Sequence, residues 1–110
     1  MGYLEAMIDE TLIAEAGRRL TAAAPRAQVI LFGSGARGEA KTGSDLDLLV
    51  IEPELRSRRE EFVRLREALG EIGVPVDLIV VSADHVAKWG KVRGSVIHEA
   101  LQEGRVLGGA

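Results

Sequence analysis

Cysteine is absent from this chain of 110 residues. Its absence excludes a disulfide framework, a thiolate zinc centre and a cysteine nucleophile. Long hydrophobic runs are missing too. No stretch approaches the roughly 18 consecutive apolar residues of a membrane span, and Met1-Gly2-Tyr3-Leu4-Glu5 does not open a basic region followed by an apolar one. The expected location is therefore cytoplasmic, with no membrane association. Positive charge is not in excess either: the net charge is −3, which argues against direct nucleic-acid binding through bulk electrostatics. The basic run Arg56-Ser57-Arg58-Arg59 is flanked by Glu52, Glu54, Glu60 and Glu61 and reads as a solvated helix face. No internal repeat or low-complexity linker divides the chain, so residues 1–110 are expected to form a single domain.

With 46% hydrophobic and 28% charged residues, the composition suits a globular fold. Leu4, Ile8, Leu12, Ala16 and Leu20 recur at the spacing of one helix face, and Pro25 closes that segment. "QVILF" (28–32) and "DLDLLVI" (45–51) read as strands. Leu55, Phe62, Leu65, Leu69 and Ile72 predict a second helix over about 54–72, stopped by Gly73 before Pro75. "PVDLIVV" (75–81) is a third strand. Ser82 then caps a last helix running somewhere through 84–103, and the "RVLGGA" tail adds a short edge strand. The order is α-β-β-α-β-α, a small mixed sheet with flanking helices in the α/β (α+β) class. The helical crossover makes the second and third strands parallel, while the short connection makes the first and second antiparallel.

Between the first two strands lies Gly33-Ser34-Gly35-Ala36-Arg37-Gly38, spelled like a dinucleotide-binding turn. That reading requires a long helix after the glycines and an acidic residue about 20 positions on. Gly43 and the next strand leave no room for the helix, so the reading fails. Walker A fails as well, since no Gly-Lys-Ser/Thr follows.

What remains is a glycine-bearing turn facing Asp45 and Asp47. Gly33 lets backbone approach closely, and the Ser34 hydroxyl with nearby N–H groups can donate to phosphate oxygens. The two aspartates project from one strand face, roughly 6.6 Å apart along the chain. They can converge on two Mg²⁺ ions about 3.5–4 Å apart, and oxygen-only donors suit that metal. The alternative is that both merely solvate an exposed strand. Asp77 shifts the balance. It sits among apolar neighbours near the start of the third strand, where a buried carboxylate requires a partner. The parallel arrangement places it beside Asp45 and Asp47.

Gly33-Ser34, Ala36-Arg37-Gly38 and Ser44-Asp45-Leu46-Asp47-Leu48 resemble, without gaps, the GSxARGxxxxxSDxDL signature of the minimal nucleotidyltransferases in the DNA polymerase beta superfamily. Asp77 looks like that family's third carboxylate. The resemblance implies that Asp45, Asp47 and Asp77 are catalytic and hold two Mg²⁺ ions. Gly33, Ser34, Arg37 and Ser44 would bind the nucleotide, with ATP as donor. Arg37 either touches a phosphate or braces the loop, and Ser44 also suits turn capping. The resemblance further implies AMP transfer to a hydroxyl, such as a tyrosine of a HEPN-domain toxin, by an antitoxin acting in a homo- or hetero-oligomer. The alternatives are a non-catalytic module that neutralises its partner by contact, and a standalone transferase acting on a small molecule. His85 and His98 lack a metal-spaced companion. Trp89 could pack on the core, line the base pocket or anchor a partner, and Tyr3 and Phe62 read as packing residues.

Overall fold

A computed structural model describes residues 10–33 and 45–109. The elements run α1 (Glu10–Ala23), β1 (Gln28–Phe32), β2 (Leu46–Glu52), α2 (Arg58–Leu69), β3 (Val76–Ser82), α3 (Ala83–Trp89), α4 (Val96–Glu103) and β4 (Arg105–Gly108). The four strands form one sheet in the order β3-β2-β1-β4. β1 is antiparallel to both β2 and β4, and β2 is parallel to β3. The expected strand directions and the terminal edge strand are thus present.

Alternation along the strands divides the core between two faces. Val29 and Leu31 of β1, Leu46, Leu48 and Val50 of β2, and Leu78 and Val80 of β3 pack on one side with Ile13, Ala16 and Leu20 of α1 and Leu65 and Leu69 of α2. Ile30, Leu49 and Val81 face the other way, against Ile97 and Ala100 of α4. α1 packs closely on β4: a Cβ built on Gly17 would stand 3.0 Å from the Leu107 Cβ. Leu4 and Ile8, the first two positions of the expected stripe, lie outside the described residues.

β2 and β3 are each shifted by one residue from the sequence reading, and three larger differences each have a local reason. α2 starts at Arg58 because Ser57 caps it, accepting from the Glu60 N–H at 3.2 Å. It ends at Leu69 because Gly70 turns the chain with φ +62°. The single last helix is two helices. Gly94, at φ +85°, breaks the run, and Ser95 caps a new helix by accepting from the His98 N–H at 3.1 Å. Phe62, expected in the core, is 38% exposed. It stands over the rim of β3, the edge strand, together with Arg58 and Arg59.

Glu52 also departs from expectation. It is not part of a solvated run but closes β2 at 8% exposure, and its Oε2 has no partner. Desolvation and the adjacent Glu61 carboxyl push its pKa up to about 7. Glu61 is held down to about 2 by Arg64, whose Nε and Nη2 donate to its two oxygens at 2.9 and 2.6 Å. Between the usual 4.5 and about 7, folded Glu52 keeps a proton that the unfolded chain has lost, so its contribution to stability falls as pH rises through that window. Glu52→Gln keeps the shape without the charge. It is expected to stabilise the fold by about 1–2 kcal/mol near pH 8 and by much less near pH 5, as measured by urea unfolding at both pH values.

Candidate active site

Gly33 ends β1 with φ +73°, a conformation that side chains with a Cβ rarely adopt. A Cβ added there would collide with Asp47 Oδ2. The turn is thus glycine for two reasons, backbone conformation and the close approach of a carboxylate. Asp47 is placed by its strand neighbours. It lies opposite Phe32 in the antiparallel pair and beside Asp77 in the parallel pair. Residues in register across a parallel pair project to the same face, with strands about 4.8 Å apart. Asp47 and Asp77 therefore stand side by side on the α3/α4 side of the sheet, next to Gly33.

Asp45 immediately precedes β2 and is exposed. Its two-residue offset from Asp47 puts it on the same side, at the mouth of the sheet. The structure thus brings Asp45, Asp47 and Asp77 to one end of the sheet. Asp77 is exposed rather than buried, so the desolvation argument that singled it out does not hold. Position, not burial, distinguishes it. Ser34, Arg37 and Ser44 lie outside the described residues.

The donor set is all oxygen, which fits a hard divalent cation. Among the described residues, however, no group of three acidic or imidazole side chains is close enough to form a metal cage. Asp47 and Asp77 offer neighbouring carboxylates, and a cation shared with them would draw further oxygens from a bound phosphate.

The two histidines serve helix starts. Their backbone N–H groups donate to Ser82 and Ser95 at 3.1 Å each, and His98 Nδ1 lies 2.9 Å from the Gly90 carbonyl oxygen. Trp89 is not core. It stacks on His85 with centroids 6.2 Å apart and is 43% exposed. A cavity of about 590 Å³ between α1 and β4 is lined by none of the three aspartates.

The Gly33 contact gives a direct test. Gly33→Ala should destabilise by about 2–4 kcal/mol, combining left-handed backbone strain with displacement of Asp47. Adding Asp47→Gly should recover the clash and leave only the backbone part, about 1–2 kcal/mol. Denaturant unfolding of the four proteins in the cycle measures this.

The profile of the "Nucleotidyltransferase domain" family matches residues 13–107. Among solved structures, one assigned as a minimal nucleotidyltransferase is 35% identical with a TM-score of 0.61, over 87% of this chain and 92% of its own. A toxin–antitoxin complex with AMP-PNP aligns over 94% of this chain and 75% of its own, at 23% identity and TM-score 0.57. A nucleotidyltransferase structure from Sulfolobus solfataricus aligns at 19% identity and TM-score 0.58, over 87% of this chain and 76% of its own. The last two likenesses concern the fold alone. No curated protein matches. The strand pair that carries Asp47 and Asp77 lies within the matched span, and on the profile and the 35% relative together the chain belongs to the nucleotidyltransferase domain family.

Proposed function

We propose that this protein transfers a nucleoside monophosphate, AMP from ATP, to a hydroxyl of a partner polypeptide. In this reading it is the antitoxin of a toxin–antitoxin pair, with a tyrosine of a HEPN-type toxin as acceptor. The observation that carries the chemistry is the in-register pair Asp47 and Asp77 beside a turn whose glycine has given up its Cβ space to a carboxylate. The toxin–antitoxin context is supported by the fold shared with a complex holding AMP-PNP, an unreactive analogue of ATP.

Each residue has a distinct task. Gly33 lets the turn after β1 lie flat against the phosphates, where Ser34 and Arg37 donate to their oxygens and Ser44 shapes the return to β2. Asp45 and Asp47 would hold the divalent cations that accompany the triphosphate, with Asp77 as the third carboxylate. Magnesium, when bound, supplies neutralisation of phosphate charge and a lowered pKa for the attacking hydroxyl. Asp77 is exposed on the edge strand, so an incoming acceptor reaches it without displacing core. It orients the hydroxyl and receives its proton. The hydroxyl oxygen bonds to the α-phosphorus, the bond from that phosphorus to the bridging oxygen breaks, and pyrophosphate leaves.

The test uses α-labelled ATP, Mg²⁺ and the partner toxin. Label should pass to the toxin, and Asp45→Asn/Asp47→Asn should reduce the rate at least about a hundredfold while leaving the urea midpoint nearly unchanged. Asp77→Asn should lower transfer with little loss of nucleotide binding. No transfer by the parent protein, combined with undiminished toxin neutralisation by the double variant, would instead establish a module that acts by contact alone.

A further inference from the structure

The surface of α3, α4 and the turns between them combines exposed apolar groups with positive charge. Trp89, Val92, Val96 and Leu101 are each 40–44% exposed, although large apolar side chains elsewhere in the chain mostly fill the core. Trp89 and Val92 share one turn that Ser95 ties to the start of α4 and that Leu101 meets at Gly90, while Val96 opens α4 on its other flank. The Val92 N–H donates to the Trp89 carbonyl at 3.1 Å. The Ser95 hydroxyl reaches the carbonyls of Trp89 and Val92 at 3.2 and 2.8 Å. A Cβ on Gly90 would stand 3.0 Å from Leu101 Cδ1. Lys88, Lys91 and Arg93 are exposed within the same stretch, and none has an ion-pair partner among the described residues. The chain as a whole is acidic, so this concentration of cations is local.

We infer that this surface docks an acidic amphipathic segment of a partner polypeptide, its apolar side chains on Trp89, Val92 and Leu101 and its carboxylates on Lys88, Lys91 and Arg93. Exposed Trp with aliphatic neighbours and a charged rim is the composition of a protein interface centre. Single-stranded nucleic acid is disfavoured because Trp89 is the only exposed aromatic on the patch, and base stacking requires several. An anionic membrane is disfavoured because three cations fall short of the cluster of about four to eight that recognises anionic lipid. The surface belongs to helices covering the sheet side that bears Asp47 and Asp77. Identifying the docked polypeptide with the acceptor rests on the transfer reading above; the docking itself does not.

The chain's single tryptophan makes the test direct. The probe is a synthetic Leu/Glu amphipathic helix of about 16 residues, titrated while Trp89 emission and its quenching by acrylamide are followed. Saturable blue-shifted emission with loss of quenching is expected. Affinity should fall at least about tenfold in Lys88→Glu/Lys91→Glu and in Val92→Asp/Leu101→Asp, with circular dichroism confirming that both variants fold. A Leu/Lys peptide should not bind. The inference is overturned by an unchanged Trp89 signal, by equal binding to the charge-reversed variant, or by a response to phosphatidylglycerol vesicles or oligouridylate in place of the acidic peptide. Asp45→Asn/Asp47→Asn should bind the peptide like the parent protein. Loss of transfer and loss of docking therefore read out separately.

Discussion

The register of β2 against its two neighbours is the constraint on which the site depends. The Leu46 N–H donates to the Pro75 carbonyl at 2.9 Å, and from that bond onward Leu46 pairs with Val76 and Asp47 with Asp77. Side chains alternate along a strand, so a slip of one residue in β3 would send Asp77 to the α1/α2 side. Leu46, Leu48 and Val50 beside Val76, Leu78 and Val80 prevent this, because the slip would expose an entire apolar row. Core packing on one face therefore fixes carboxylate placement on the other. On the opposite flank, antiparallel pairing sets Phe32 against Asp47 and delivers Gly33 to the same carboxylate.

The two ends of β2 treat acidic side chains in opposite ways. At its start, Asp45 and Asp77 remain exposed, so their charges are solvated and can meet a cation with little desolvation penalty. At its end, Glu52 is buried with an unsatisfied oxygen and a raised pKa. There the glutamate costs stability. Carboxylates at an open strand end suit chemistry. One at the closed end, clamped under Glu61 and Arg64, acts on pH-dependent stability.

Most of the frame was legible in the sequence because its signals are local. Gly33, Pro53 and Pro75 bracket the apolar runs, and the lengths of the connections fix the strand directions. What escaped was tertiary. The 3/4-spaced stripe of α2 includes Phe62, but only the sheet order shows that this end of the helix overhangs an edge strand. The break at Gly94 and Ser95 was visible as glycine followed by a capping serine, yet the surrounding apolar residues continue the helical spacing on both sides. The three aspartates were found partly through a faulty step. Asp77 was expected to need a partner because its sequence neighbours are apolar, whereas alternation turns it to the open side while Leu78 and Val76 face the core. Glu52 was missed because charged neighbours on α2 made it look solvated, and no sequence periodicity separates the last residue of a strand from the first of a loop.

The carboxylates and the exposed surface of α3 and α4 lie on one side of the sheet but on different elements. α3 leaves the end of β3 opposite Asp77, and its Val86 packs with Phe32 and Ile79 beneath it. The same helix carries Lys88 and Trp89 outward. A polypeptide seated there is held by contacts that are independent of the carboxylates, so its affinity can change without changing the reacting geometry. That separation also explains why Trp89 can be exposed at no cost to the core. Ile97, Ala100 and Val86 pack on that face of the sheet, while the indole rests on the His85 ring and keeps 43% of its surface exposed. An indole left this exposed is what a docked apolar side chain would cover.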